Sequence, residues 1–247
     1  MSRQDSRPLT VVTGGSRGIG AAVVRRLAGG GHDLVLGYRA DEAAARRVAT
    51  EAEGLGASVR TVSADVTDAA QVERLFDAAR ELGQLTGVVN NAGATLHLGD
   101  LADTPVELVQ QVVDLNLTAA IFVARQAVRH LTEGGALVNV SSGAATLGAP
   151  HEYVHYAAAK AGVDALTHGL AQEVAGRGIR VNGVAPGLVR TDIHAGAGDP
   201  GRPERLAAMV PLGRAGEPEE VAEAIAWLLS DACPYATGAT LRVAGGR

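Results

Sequence analysis

Only one cysteine, Cys233, occurs in the 247 residues. That excludes an internal disulfide and a zinc site built on clustered cysteines. Aromatic residues are scarce as well, at 3% of the chain, so a core must be assembled from Ala, Val and Leu within the 47% apolar content. No unbroken apolar run reaches the ~18 residues that would span a bilayer. Met1 to Pro8 is polar and lacks the apolar centre of a signal peptide. A broad basic surface is missing too: the net charge is −5, which argues against a nucleic-acid partner. Repeats, linkers and low-complexity segments are absent. These exclusions leave a cytoplasmic protein with no membrane or nucleic-acid partner. It is expected to have a flexible tail at residues 1–8 and a single α/β domain at 9–247.

Short apolar runs alternate with amphipathic stretches along the whole chain. Strands are expected near residues 9–13, 34–36, 59–64, 88–90, 136–140, 179–184 and 241–243. Helices are expected near 18–30, 41–52, 68–83, 104–131, 153–175 and 218–230. Asp68 with Gln71 reads as a capping box, and Thr104 with Pro105 as a helix start. This β-α-β alternation predicts a doubly wound, Rossmann-type parallel sheet with helices on both faces. The one stretch without regular pattern, 188–214, carries several Gly and Pro residues and reads as a substrate loop or lid.

Two local patterns carry chemistry. Gly14, Gly18 and Gly20 follow the first strand and open the first helix, where glycines let the backbone approach a pyrophosphate. Tyr156 and Lys160 lie one helical turn apart, so phenol and ammonium share a face. The ammonium is expected to lower the tyrosine pKa and make it a proton donor and acceptor near neutrality. The second strand ends Gly37-Tyr38-Arg39, with no acid before Asp41, and Arg17 lies in the glycine loop. Two cations facing one ribose edge favour NADP over NAD.

With these motifs in order over nearly the whole chain, the sequence resembles the short-chain dehydrogenase/reductase family, most closely its 3-oxoacyl-carrier-protein reductase and glucose 1-dehydrogenase-like groups. Thr13 to Gly20, with Ser16, Arg17 and Ile19 inside it, matches the family's cofactor loop. Asp65-Val66 matches the adenine-contacting pair, and Asn90-Asn91-Ala92-Gly93 the segment after the fourth strand. Asn116, Ser142, Tyr156 and Lys160 match the catalytic set. Pro186-Gly187, with Val189 and Thr191 after it, matches the stretch at the nicotinamide. Gly238 and Gly245-Gly246 fit the C-terminus.

The resemblance implies hydride transfer between a nicotinamide and a carbonyl or secondary alcohol, such as a 3-oxoacyl thioester or a sugar. Tyr156 would move the proton and Ser142 would bond the substrate oxygen. Lys160 would tune Tyr156 and hold the nicotinamide ribose, and Asn116 would anchor a water. It also implies a homo-oligomer, a tetramer paired through the two long helices.

Two departures stand out. Ser142 lies 14 residues before Tyr156, one more than in many members, and Ala244 stands where many have Asp. Two other classes compete. His151-Glu152-Tyr153-Val154-His155 spells the His-Glu-x-x-His of zinc peptidases, but Pro150 puts His151 at or before the helix start, and no metal is expected. A cofactor-sensing protein without activity is the other, against which the intact catalytic set argues. The substrate end would be lined by 94–98, 144–153 and 188–209. His97, His155 and His194 fall near it, and Arg190 and Arg202 are either anion ligands or surface residues.

Overall fold

The computed structural model describes residues 7–247; most of the expected tail at 1–8 lies outside the described residues. Among the described residues, seven parallel strands form one sheet in the order β3-β2-β1-β4-β5-β6-β7. They are β1 (Leu9–Val12), β2 (Asp33–Tyr38), β3 (Val59–Ser63), β4 (Leu85–Asn90), β5 (Ala136–Val140), β6 (Arg180–Pro186) and β7 (Thr240–Val243). The main helices are α1 (Gly18–Gly29), α2 (Glu42–Gly54), α3 (Ala69–Leu82), α4 (Val106–His130), α5 (Val154–Val174) and α6 (Pro218–Leu229).

Residues of the five inner strands alternate between two buried layers, as a sheet covered on both faces requires, whereas the edge strands β3 and β7 are only partly covered. Val12, Leu34, Leu36, Val89 and Val138 pack under α1, α2 and α6. Val11, Val35, Val88, Leu137 and Val181 pack under α3, α4 and α5. With few aromatics, Leu and Val fill both layers and Ala lets helices approach closely; Phe76 is the largest fully buried side chain.

Three local details differ from the sequence reading. Thr104 does not cap α4: its hydroxyl donates to Asp100 O at 2.9 Å, and Pro105 takes the cap position. Asp68 accepts from the amides of Ala70 and Gln71, but Gln71 reaches back to the Asp65 amide rather than to that of Asp68. The 188–214 stretch contains short helical turns at Ile193–Gly196 and Arg202–Leu206.

One helix, α4, is by length and composition alone apolar enough to cross a bilayer, with mean hydropathy 1.4. It nevertheless docks on the sheet through Ala119, Val123, Ala124 and Ala127, while Val112 packs beside Tyr156. The same helix is interrupted by a π turn at Asp114–Thr118, a distortion that occurs mostly at functional sites.

Candidate active site

The sheet order reverses between β1 and β4, which opens a crevice at their carboxyl ends. A cleft of about 440 Å³ lies there, lined at one end by Gly14, Arg17, Gly18, Ile19 and Gly20. Arg17 gives the first turn of α1 no side-chain cap, which leaves its amides available to an anion at the positive end of the helix. Gly20 has no room for a side chain: a Cβ would stand 2.1 Å from Gly14 O and 2.6 Å from Asn91 Nδ2. Thr13 fixes the loop, its Oγ1 accepting from the Asn91 and Ala92 amides at 3.0 and 3.1 Å. Asn91 Nδ2 donates back to Thr13 O and Gly14 O at 2.9 and 3.2 Å. This cradle fits the pyrophosphate of a dinucleotide.

Towards the ribose end the sequence reading is modified. Arg39 lines the cleft and makes no ion pair among the described residues. Arg17 also lines it, but its guanidinium is bonded to Asp41, which caps α2 through the Ala44 amide. Tyr38 packs against the core instead of facing the cleft. Ser16, Asp65 and Val66 do not line the cleft either; Val66 is buried, and Asp65 Oδ1 accepts from the Thr67 amide and hydroxyl.

At the other end the cleft meets Ser142, Tyr156 and Lys160. Ser142 follows β5; its Oγ accepts from the Ala144 amide at 3.1 Å, and its hydroxyl lies near enough to the Tyr156 phenol to favour the ionised form. Lys160 Nζ donates to Val140 O at 2.8 Å, and Ser141 Oγ to Lys160 O at 3.3 Å, so β5 and α5 are stitched together beside the reacting groups. Burial pushes the Tyr156 phenol well above its ordinary range, the Ser142 hydroxyl opposing and Tyr153 adding to the rise. Burial also holds the Lys160 ammonium down to about 8, with Asp164 opposing. The expectation that Lys160 lowers the tyrosine pKa is therefore corrected. Nζ sits 5.8 Å from the phenol ring centroid and gives one hydrogen bond to Val140 O, and desolvation of the buried phenol is the largest influence on it. What results is a neutral phenol, held as a proton donor.

Asn116 is placed next to this centre but does not open on it. Its Nδ2 donates to Ala94 O at 2.7 Å and Val112 O at 2.9 Å, and its Oδ1 accepts from the Ala94 amide at 3.2 Å. The π turn thus presents Asn116 as a clamp on the 93–94 backbone. A Cβ on Gly93 would stand 2.7 Å from Asn116 Oδ1 and 3.3 Å from Lys160 Nζ.

Ala92, Gly93, Pro186, Gly187, Val189 and Thr191 complete the cofactor side of the cleft. The extra residue between Ser142 and Tyr156 is absorbed by a turn at Ala144–Leu147 and left-handed backbone at Gly148, Ala149 and His151. That conformation keeps His151 out of α5, where it is exposed and bonded to Asp100. His151 and His155 therefore do not form the shared helical face that a zinc-peptidase motif needs. His155 is buried with neither ring nitrogen bonded, and burial followed by the nearby His97 lowers its pKa. His194 lines the cleft and bonds Val189 O. The tail that lacks the usual Asp is held by Arg242, which donates to Arg247 O and to Gly143 O and Thr146 beside Ser142.

Three site residues were not assigned a role from the sequence: Asp41, Tyr153 and Arg242. Each makes its contact at the site with a residue distant in the chain, Arg17, Arg202 and Thr146 respectively, which no local pattern signals.

A Rossmann sheet with a phosphate cradle, leading to a Ser-Tyr-Lys cluster, defines a nicotinamide-dependent oxidoreductase acting on alcohols and carbonyls. The comparisons narrow this. A family model described as enoyl-(acyl carrier protein) reductase matches residues 14–247. The chain is 42% identical over 242 residues to 3beta-hydroxysteroid dehydrogenase 1 of Eggerthella lenta, covering 96% of this chain and 92% of that one. It is 38% identical over 243 residues to the 3-oxoacyl-[acyl-carrier-protein] reductase of Synechocystis, covering 96% of both. A short-chain dehydrogenase from Burkholderia cenocepacia, solved in complex with NADP, superposes with a TM-score of 0.91 at 33% identity, over 97% of both chains. The chain belongs to the short-chain dehydrogenase/reductase family.

Proposed function

We propose that the protein is an NADP(H)-dependent enzyme that transfers a hydride between the nicotinamide and a carbonyl or secondary alcohol substrate. The observation that carries this reading is the buried Tyr156 beside Ser142 and Lys160 at one end of a cleft whose other end is a phosphate cradle. When bound, the cofactor supplies the hydride. Ser142 donates a hydrogen bond to the substrate oxygen and stabilises charge as it develops there. Tyr156 delivers the proton to that oxygen, and the adjacent Lys160 charge stabilises the phenolate left behind. Asn116 keeps the 93–94 backbone in place. The two relatives act, by name, on a steroid and on an acyl thioester, which share only an oxygenated carbon, so the substrate end has to be read from this chain's own residues. A screen of ketones, sugars and acyl thioesters, following NADPH absorbance, tests the reading. Carbonyl-dependent NADPH oxidation is expected, and its absence across all three groups would count against it.

The same reading makes the enzyme a cytoplasmic homotetramer. Only 28% of the most apolar window of α4 is buried within one chain. Val106 and Ile121 on α4 and Val154 on α5 are exposed. A second copy laid against these helices would cover that apolar surface. Light scattering at micromolar concentration is expected to give four times the 25.1 kDa chain mass; a monomeric mass would contradict the assembly.

A further inference from the structure

Backbone strain sits beside the reacting phenol. The Thr95 carbonyl accepts from the His97 amide at 2.7 Å, which closes a three-residue turn around Leu96, and Leu96 takes φ 59°. A γ-turn with positive φ is rare and strained. Glycine would adopt this backbone without that strain, but it would leave no side chain on the wall. Leu96 lines the cleft and, with Tyr153, packs against the cluster that contains Tyr156. The turn is tied to the neighbouring segment, since the Gly99 amide donates to Glu152 O at 2.8 Å. Strain held at the wall of a cleft points to a ligand that uses the strained residue.

The rest of that wall is apolar or already balanced in charge. Leu98, Tyr153, Ile193 and Ala197 line the cleft and are half-buried. The Tyr153 ring meets the Tyr156 ring edge-on at 5.4 Å, and its hydroxyl accepts from Arg202 Nη2 at 3.2 Å. Arg202 is only 5% exposed, and the same Nη2 donates to Glu152 Oε2 at 2.6 Å, so its charge is matched within the chain. His194 bonds Val189 O, and burial keeps its pKa below the ordinary histidine value, so the ring is largely neutral at pH 7. Asp192 is exposed on the cleft and makes no ion pair among the described residues. A carboxylate or phosphate on the substrate would meet that negative charge and a cation already paired. A run of sugar hydroxyls would lose water against Leu96 and Leu98 without gaining partners there. Resting on the oxidoreductase reading above, we propose that the substrate is an uncharged ketone, or the corresponding alcohol, whose apolar body lies against Leu96, Leu98 and the Tyr153 ring.

Initial rates at saturating NADPH with 4-tert-butylcyclohexanone, cyclohexanone and 4-oxocyclohexanecarboxylate test this with the ring held constant. The bulky apolar ketone is expected to surpass cyclohexanone by at least ~10-fold in kcat/KM, with the carboxylate poorest. In the reverse direction, with oxidised NADP, 4-tert-butylcyclohexanol should likewise surpass D-glucose. Leu96→Asn keeps nearly the same shape, tolerates positive φ and removes the apolar contact. It should bring the bulky-ketone preference below ~3-fold while leaving cyclohexanone within ~3-fold of wild type. If that variant does not fold, Ile193→Thr replaces it and should lower the same preference by at least ~3-fold. A wild type indifferent to the tert-butyl group, or one that prefers the carboxylate or glucose, overturns the inference. Equal losses for all three ketones in Leu96→Asn also overturn it, since Leu96 would then only shape the loop. No reduction of any carbonyl overturns the oxidoreductase reading itself, whereas a ketone reductase indifferent to apolar bulk overturns only this inference.

Discussion

Replacing Tyr156 by Phe is expected to cut turnover by at least ~10²-fold while leaving cofactor binding nearly intact. The substitution removes one oxygen, and with it the proton to be transferred. The ring remains, so the 5.4 Å edge contact with Tyr153 and the buried packing survive. Binding of NADPH, followed by fluorescence, should change little, because the phosphate cradle lies on other elements. Turnover within tenfold of wild type would remove Tyr156 from the proton transfer. The pH profile gives a second check. Burial raises the phenol, so Tyr156 stays protonated through neutrality and above. Lys160, held down to about 8, instead loses its charge as pH rises through that value. Carbonyl reduction should therefore hold steady near neutrality and decline above about pH 8. A rate still rising beyond pH 9 would show that the ammonium is not required.

The order of strands and helices was legible because each strand is short, Val- and Leu-rich and bounded by glycines or helix starts. Its alternation between two buried faces has no competing pattern. Gly14, Gly18 and Gly20 were legible for a local reason: the turn, the close approach and the helix start lie within a few residues. Tyr156 and Lys160 were placed correctly by one helical turn, but their electrostatics were not. That spacing says nothing of Val140 O, which accepts a hydrogen bond from the lysine, nor of the burial that dominates the phenol. Asn116 sits in a π turn that no breaker residue announces; Asp114-Leu115-Asn116-Leu117-Thr118 reads as ordinary helix. The Arg202–Glu152 pair joins residues 50 positions apart and belongs to the tertiary fold alone.

NADPH is expected to be preferred to NADH, with Arg39 carrying more of the preference than Arg17. Both line the cleft, but they are not equivalent. Arg17 is already bonded to Asp41, a carboxylate that competes with any 2′-phosphate for the same guanidinium. Arg39 has no such partner among the described residues, and a phosphate would gain its full charge-assisted hydrogen bond, worth ~1.5–3 kcal/mol, or about 10- to 150-fold. Tyr38 packs inward and repels neither cofactor, so NADH should keep some activity. Arg39→Ala should raise the Michaelis constant for NADPH by at least ~10-fold and that for NADH hardly at all. Asp41→Asn should act in the opposite direction. The amide oxygen can still accept from the Ala44 amide and cap α2, while Arg17 is released to the phosphate. The two effects need not add, because both arginines would share one phosphate. The deciding measurement is the NADPH-to-NADH ratio of kcat/KM for wild type, Arg39→Ala and Asp41→Asn. A wild-type ratio at or below one, unmoved by Arg39→Ala, would place that guanidinium in solvent and leave the enzyme without a means of telling the two cofactors apart at this edge.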